Sequence, residues 1–336
     1  MITCSPSRLE SEQWQRELAA AVTDPAELLR LLDLDPRQLP QVQMAGARFP
    51  LRVPRYFVKL MRRGDPHDPL LAQVLPLAVE EEPLSGYRKD PVDDMSASRE
   101  HGILQKYQGR ALMVATGACA VHCRYCFRRH FPYADQSALR HWKGAMQTLR
   151  QLPDTSELIL SGGDPLSLSD DRLQQLLAEA DQVTPLQRLR IHSRLPVVLP
   201  SRVTERLARL LSESRLQAVM VIHANHPREI TPDLGRAMQR LSAAGTTLLN
   251  QSVLLKSVND DADTLAALSE GLLGIGVLPY YLHLLDPVAG AAHFDVPLAR
   301  ALQLHAELSS RLPGYLVPRF VREQPGRPYK TPISAL

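Results

Sequence analysis

The chain has 336 residues, 44% of them hydrophobic, enough to bury the core of one large domain or two ordinary ones. Its 39 basic and 36 acidic residues leave a net charge of +3, a near balance that gives no reason to expect a nucleic-acid or membrane partner. No apolar run reaches the roughly 18 residues of a membrane helix. The start, Met1-Ile2-Thr3-Cys4-Ser5 with acid from Glu10 onward, lacks a signal peptide's apolar stretch, so a cytoplasmic protein is expected.

Residues 1–100 read as a helical, irregular N-terminal region. Glu10 to Leu32 is rich in helix formers, with an apolar stripe at Trp14, Leu18, Ala21 and Val22. Asp65-Pro66-His67-Asp68-Pro69 and Asp90-Pro91 are breakers. From residue 110 the pattern alternates. Strands are expected at 111–116, 157–161, 187–192, 217–223, 246–254 and 277–285, mostly short apolar runs of the kind covered on both faces. Helices are expected at 137–151, 169–181, 202–214, 231–244 and 260–273, each long enough for a crossover between parallel strands. The fold class is therefore α/β, an open (β/α)6 partial barrel over 101–320 with a C-terminal segment 321–336. By analogy with closed barrels, chemistry belongs at the C-terminal strand ends.

The motifs fall there. After the first strand comes Gly117-Ala118-Cys119-Ala120-Val121-His122-Cys123-Arg124-Tyr125-Cys126, a C-x3-C-x2-C run. Three thiolates can fix three irons of a [4Fe–4S] cluster and leave the fourth open to a small molecule. Structural zinc with His122 or His130 is the alternative, but no second cysteine pair is present. Disulfides are not expected: the chain has four cysteines, and these three lie within one short run. Cys4 is read as incidental. A solvent-reachable cluster also needs a reducing compartment. After the second strand comes Ser161-Gly162-Gly163-Asp164-Pro165, whose glycines allow a tight turn and a close approach to a ligand.

The cysteine run, with Tyr125 before its last thiol, resembles the signature of the radical S-adenosylmethionine (SAM) superfamily. In that superfamily the Gly-Gly-acidic run binds the SAM amino group, which implies SAM contacts at Tyr125, Ser161, Gly162, Gly163 and Asp164. From about residue 60 to the end the chain resembles the lysine 2,3-aminomutase family. The carrying stretches are Lys106-Tyr107-x-x-Arg110, Cys126-Phe127-Arg128-Arg129, Asn225-His226-Pro227-x-Glu229-Ile230, Asn250-Gln251-Ser252-Val253-Leu254-Leu255, and Pro325-Gly326-Arg327-Pro328-Tyr329-Lys330-Thr331-Pro332. The resemblance implies that Lys330 forms the Schiff base with pyridoxal 5′-phosphate (PLP). Lys106 and Arg110 would hold its phosphate, and His223 and Gln251 would lie near the cofactors, on the SAM side. Arg128 would pair with the substrate carboxylate, as its planar fork suits. Asp286 and Glu323 would hold the distal ammonium of L-lysine. Glu323 stands where most of the family has Asp.

The last residue lies six positions after Lys330, and the cluster loop continues Phe127-Arg128-Arg129-His130-Phe131-Pro132-Tyr133. With Glu323, these features resemble the shorter bacterial branch. That branch converts (S)-α-lysine to (R)-β-lysine, which a separate ligase attaches to elongation factor P. The electron donor implied is of the flavodoxin or ferredoxin type. Rival readings are an aminomutase for arginine or glutamate, or a radical SAM enzyme that modifies a peptide or protein without PLP. Two carboxylates at the distal site disfavour glutamate, since like charges brought together are costly.

Overall fold

The computed structural model describes residues 6–39, 41–42, 49–100, 102–138 and 141–334. Cys4 lies outside them. The expected helix from Glu10 to Leu32 is two helices, Pro6–Ala19 and Pro25–Leu31. Between them Val22 pairs with Val53 as an isolated bridge. Asp24 then starts the second helix by accepting from the Ala26 amide at 3.0 Å, ahead of Pro25 at the first helical position. Asp68, inside the first expected breaker, likewise caps the helix Pro69–Ala72.

Among the described residues ten strands form one sheet in chain order: β1 (Ser98–Glu100), β2 (Ile103–Leu104), β3 (Arg110–Thr116), β4 (Glu157–Gly162), β5 (Arg188–Ser193), β6 (Gln217–Ile222), β7 (Thr247–Val253), β8 (Leu278–His283), β9 (Arg319–Arg322) and β10 (Thr331–Pro332). The strands β3 to β8 are the six expected ones. They are parallel, as is β9, while β1, β2 and β10 add antiparallel edges. Neighbouring strands taken in sequence and joined by helices are the connection that closes a parallel sheet toward a barrel. Among the described residues β1 does not pair with β10, so the barrel is open. The expected helix 137–151 is shorter, Trp142–Arg150. Helix Leu298–Arg311 and β9 form a further unit that the short run Arg319-Phe320-Val321-Arg322 did not announce.

The crossover helices start where the chain says they should. Ser169, Thr204, Thr231 and Asp261 each cap a helix with a side-chain oxygen bonded to a first-turn amide. This keeps the loops at the strand C-termini short and fixed. The N-terminal region packs onto the barrel within one apolar cluster that runs from Val22 through Phe57 and Leu71 to Met220 and Val277.

Candidate active site

One cavity of about 950 Å³ occupies the barrel interior, and every site residue named from the sequence lines it: Lys106, Arg110, Cys119, Cys123, Tyr125, Cys126, Arg128, Ser161, Gly162, Gly163, Asp164, His223, Gln251, Asp286, Glu323 and Lys330. They are far apart in sequence; most come from the C-terminal ends of successive strands and the loops after them, while Arg110 opens β3 and Lys106 lies just before it.

The three cysteines are free and half-buried on the loop after β3. Burial raises the Cys119 thiol and pushes Cys126 up to about 11, with the neighbouring sulfurs adding to both. The loop is fastened to the N-terminal region: the His122 amide donates to Arg52 O and the Arg124 amide to Gln73 O, both at 2.9 Å. Glu80, buried to 2% at its side chain, binds both Arg124 and Arg129. Among the described residues no three His, Cys, Asp or Glu side chains converge on one ion. His122 Nδ1 meets Pro50 O at 2.8 Å and His130 Nε2 meets Ala289 O at 3.0 Å. These contacts fix one nitrogen of each ring. A four-iron cluster takes one thiolate per iron, and three free thiols on one cavity wall fit it.

The Gly162-Gly163 turn packs closely on the cysteine loop. A Cβ on Gly162, at φ +115°, would stand 2.7 Å from Thr116 O, and one on Gly163 would stand 2.4 Å from Ala118 O. The glycines let the second motif press against the cysteine loop. Asp164 Oδ1 accepts from Ser193 Oγ (2.7 Å) and the Leu166 amide (3.0 Å), and its Oδ2 from the amides of Arg194 (2.9 Å) and Leu195 (3.0 Å). The carboxylate clamps the loop after β5 at the cavity wall. Tyr125 likewise turns its hydroxyl to Asn225 Nδ2, at 2.6 Å, and to Arg194. His223 Nε2 lies 3.1 Å from Gln251 Nε2, and burial lowers its imidazole to about 3, keeping it neutral.

Two residues past Cys126, Arg128 Nε donates to Asp94 Oδ2 at 2.6 Å and Nη1 to Ser161 Oγ at 2.9 Å. This leaves part of the guanidinium for a carboxylate ligand. Asp94 is 2% exposed; burial opposes its charge, but Arg128 and Lys106 hold it down at about 2. Lys106 Nζ donates to Val92 O at 2.6 Å and lies 2.8 Å from Asp94 Oδ1 and 3.9 Å from Glu323 Oε1. It faces these carboxylates while lining the cavity beside Arg110. Arg110 stacks over the Tyr107 ring at 5.0 Å.

The C-terminal hairpin explains Glu323 and Lys330. Arg322 pairs with Thr331 across the antiparallel β9–β10 ladder, so the next pair inward is Glu323 with Lys330. Gly326, at φ +76°, turns the chain between them. Lys330 Nζ donates to Glu323 Oε2 at 2.7 Å, and Tyr107 donates to Oε1. Asp286, just past β8, has no such partner: its Oδ1 is buried and unbonded among the described residues. Burial raises this carboxyl to about 7, Lys330 working against the rise and Glu323 with it. A buried acid with a vacant acceptor site asks for a cation.

Asp94, Arg194, Tyr107, His192 and His283 also line the cavity and escaped the sequence reading of the site. Arg194 carried a signal, since it follows β5 at the barrel end where chemistry collects. Asp94 carried none, because it comes from an irregular loop ahead of the sheet.

No family model matches the chain. It is 48% identical over 332 residues to the L-lysine 2,3-aminomutase of Escherichia coli K12, covering 98% of this chain and 96% of that one. The Haemophilus influenzae enzyme of the same name is 46% identical over 96% of both chains. That of Clostridium subterminale is 32% identical over 95% of this chain and 77% of its own. A solved radical SAM methyltransferase from Sphaerobacter thermophilus aligns with 65% of this chain and 68% of its own, at 19% identity and a TM-score of 0.47. The extent of the aminomutase matches leads to one conclusion: the chain belongs to the lysine 2,3-aminomutase family, which are isomerases.

Proposed function

We propose that the protein converts (S)-α-lysine to (R)-β-lysine, with a [4Fe–4S] cluster on Cys119, Cys123 and Cys126, SAM beside it, and PLP on Lys330. The observation that carries the reading is Asp286, whose buried Oδ1 lacks a partner in the cavity that also holds the three thiols and Lys330. The distal ammonium of lysine supplies that partner. A second acid, Glu323, stands close enough to share it.

Arg128 holds the substrate carboxylate with the guanidinium hydrogens not taken by Asp94 and Ser161. Substrate charge is thus met at both ends, which fixes the position of the carbons between. Bound SAM and cluster supply a hydrogen-abstracting radical, and bound PLP supplies a conjugated carrier for the migrating nitrogen. The reaction is an isomerisation: the amino group and one hydrogen exchange neighbouring carbons. Glu323 keeps Lys330 at the cavity wall, and Arg110 is the favoured phosphate ligand now that Lys106 faces carboxylates. Neutral His223 with Gln251 lines the SAM side.

The same reading divides the chain into an N-terminal region (1–100), the radical SAM core (101–320) and the PLP-lysine segment (321–336). It places the enzyme in the cytoplasm, reduced by a flavodoxin- or ferredoxin-type donor, with its product passed to the ligase that modifies elongation factor P. The family match and the small-molecule dimensions of the cavity support it over peptide modification. Among the described residues no helix is long and apolar enough to cross a membrane.

The test is an anaerobic assay of the PLP-loaded, reconstituted protein with L-lysine, SAM and reductant. β-Lysine is expected as product, with SAM not consumed in proportion. Turnover of arginine or glutamate instead, or activity independent of PLP, would overturn the assignment.

A further inference from the structure

Arg194 is 4% exposed and lies where the N-terminal region, the cluster loop and the loops after β5 and β6 meet. Its Nη1 donates to Cys123 Sγ at 2.9 Å and also to Tyr125. Its Nη2 donates to Gln73 Oε1 at 2.7 Å and stands 3.6 Å from Glu229 Oε2. Every neighbour is itself held. Gln73 Nε2 donates to Glu229 Oε1 at 2.9 Å, Asn225 Nδ2 donates to Gln73 Oε1 at 3.0 Å, and Asp164 fixes the Arg194 amide. The guanidinium is over-determined, so its approach to the sulfur is a built feature of the fold and not one rotamer among several.

The other arginines near the cysteines direct their charge elsewhere. Arg124 and Arg129 share Glu80, and Arg128 pairs with Asp94. Arg194 has a carboxylate too, but Glu229 is farther from it than the thiol sulfur.

We propose that Arg194 is a positioning residue that sets the reduction potential of the cluster through its N–H bond to the Cys123 sulfur. The inference rests on the cluster reading of Cys119, Cys123 and Cys126. One electron from a low-potential carrier makes the cluster and its thiolates one unit more negative, with no bond made or broken. A buried cation and a hydrogen bond to a ligand sulfur stabilise the more negative state, and both raise the potential. Glu229 moderates the effect by balancing part of the charge.

The experiment is an EPR-monitored redox titration of the reconstituted full chain without SAM, alongside iron analysis and a SAM-binding measurement. The parent's content of four irons tests the cluster reading separately. Arg194→Gln is expected to shift the midpoint to a more negative potential. Arg194→Lys should fall between it and the parent, because an unforked ammonium cannot keep both the Cys123 and the Gln73 contacts. An unchanged midpoint in Arg194→Gln with full iron overturns the proposal. Lost SAM affinity with an unchanged midpoint also overturns it, and assigns Arg194 to the SAM carboxylate. Should Arg194→Gln hold less iron than the parent, Arg194→Lys decides: a more negative midpoint supports the tuning, and the parent's midpoint refutes it.

Discussion

The two ends of the cavity are built on opposite principles. Around the cysteines the carboxylates of Glu80 and Asp164 are satisfied by the protein itself: Glu80 takes two arginines and Asp164 takes four donors. Near Lys330 one carboxylate is left open: Asp286 has an unbonded oxygen among the described residues, whereas Glu323 answers two lysines and a tyrosine. The lesson is one of pre-organisation. On the proposed reading, the end that would hold an inorganic cluster has its carboxylates met before the cluster arrives, while the end that would exchange a substrate keeps an open carboxylate for it.

The largest effects should separate the two ends completely. Cys123→Ser should abolish SAM cleavage and lower the iron content, with PLP still captured. Lys330→Ala should abolish aminomutase activity and borohydride-fixed PLP while iron and uncoupled SAM cleavage persist. Normal SAM cleavage in Cys123→Ser, or PLP fixed on another lysine, would show that the ends are misassigned. Cys4→Ser should leave iron unchanged.

Glu80→Gln probes the satisfied end. It leaves Arg124 and Arg129, at 2% and 3% side-chain exposure, without their shared carboxylate. The expected cost is about 3–5 kcal/mol, the range for breaking a buried ion pair. It should appear as a lower denaturation midpoint and poorer cluster retention. Wild-type stability in this variant would mean that the loop is held by backbone bonds alone.

Asp286→Asn probes the vacant end with the opposite signature. Lysine binding should weaken by about 2–5 kcal/mol, as for truncating one member of a buried charge pair, while iron and PLP content stay unchanged. The folded protein should tolerate the change or gain from it. The Asp286 carboxyl is raised from 3.8 to about 7, so the folded state holds its proton more tightly than the unfolded chain. Its contribution is therefore complete below the unfolded value and is lost as pH rises toward 7. Cofactor-free protein should lose stability across that window, and Asp286→Asn should flatten the loss. Thermal melts at pH 4 to 7 would read it; identical slopes would remove Asp286 from the vacant group.

The smallest effect should come from Glu323→Asp, which keeps the charge and shortens the reach to Lys330 and Tyr107. Turnover is expected within about tenfold of the parent, 1.4 kcal/mol. Glu323→Gln is the stronger form of the test, and unimpaired lysine turnover there would leave the distal site to Asp286 alone.

Sequence by itself determined the periodic and the contiguous. Six strands were legible as short apolar runs with helix-length stretches between them, whose caps Ser169, Thr204, Thr231 and Asp261 the structure identifies. The cysteine run stood out because its three thiols sit within one loop, and Lys330 through a motif. Tertiary structure decided the partners. That Lys106 faces Asp94, that Asp164 clamps the Arg194 loop, and that Glu80 reaches across to Arg124 are contacts over 12 to 44 positions of chain, with no period to reveal them. The short edge strands β1, β2 and β10 were likewise invisible, since two or three residues carry no alternation. The seven-position spacing of Glu323 and Lys330 was in the sequence, but only the β9–β10 register made it a contact. Local pattern encodes what an element buries. Which charge meets which depends on where folding brings distant loops together, and burial at that meeting decides whether a carboxylate is a clamp, like Asp164, or an open site, like Asp286.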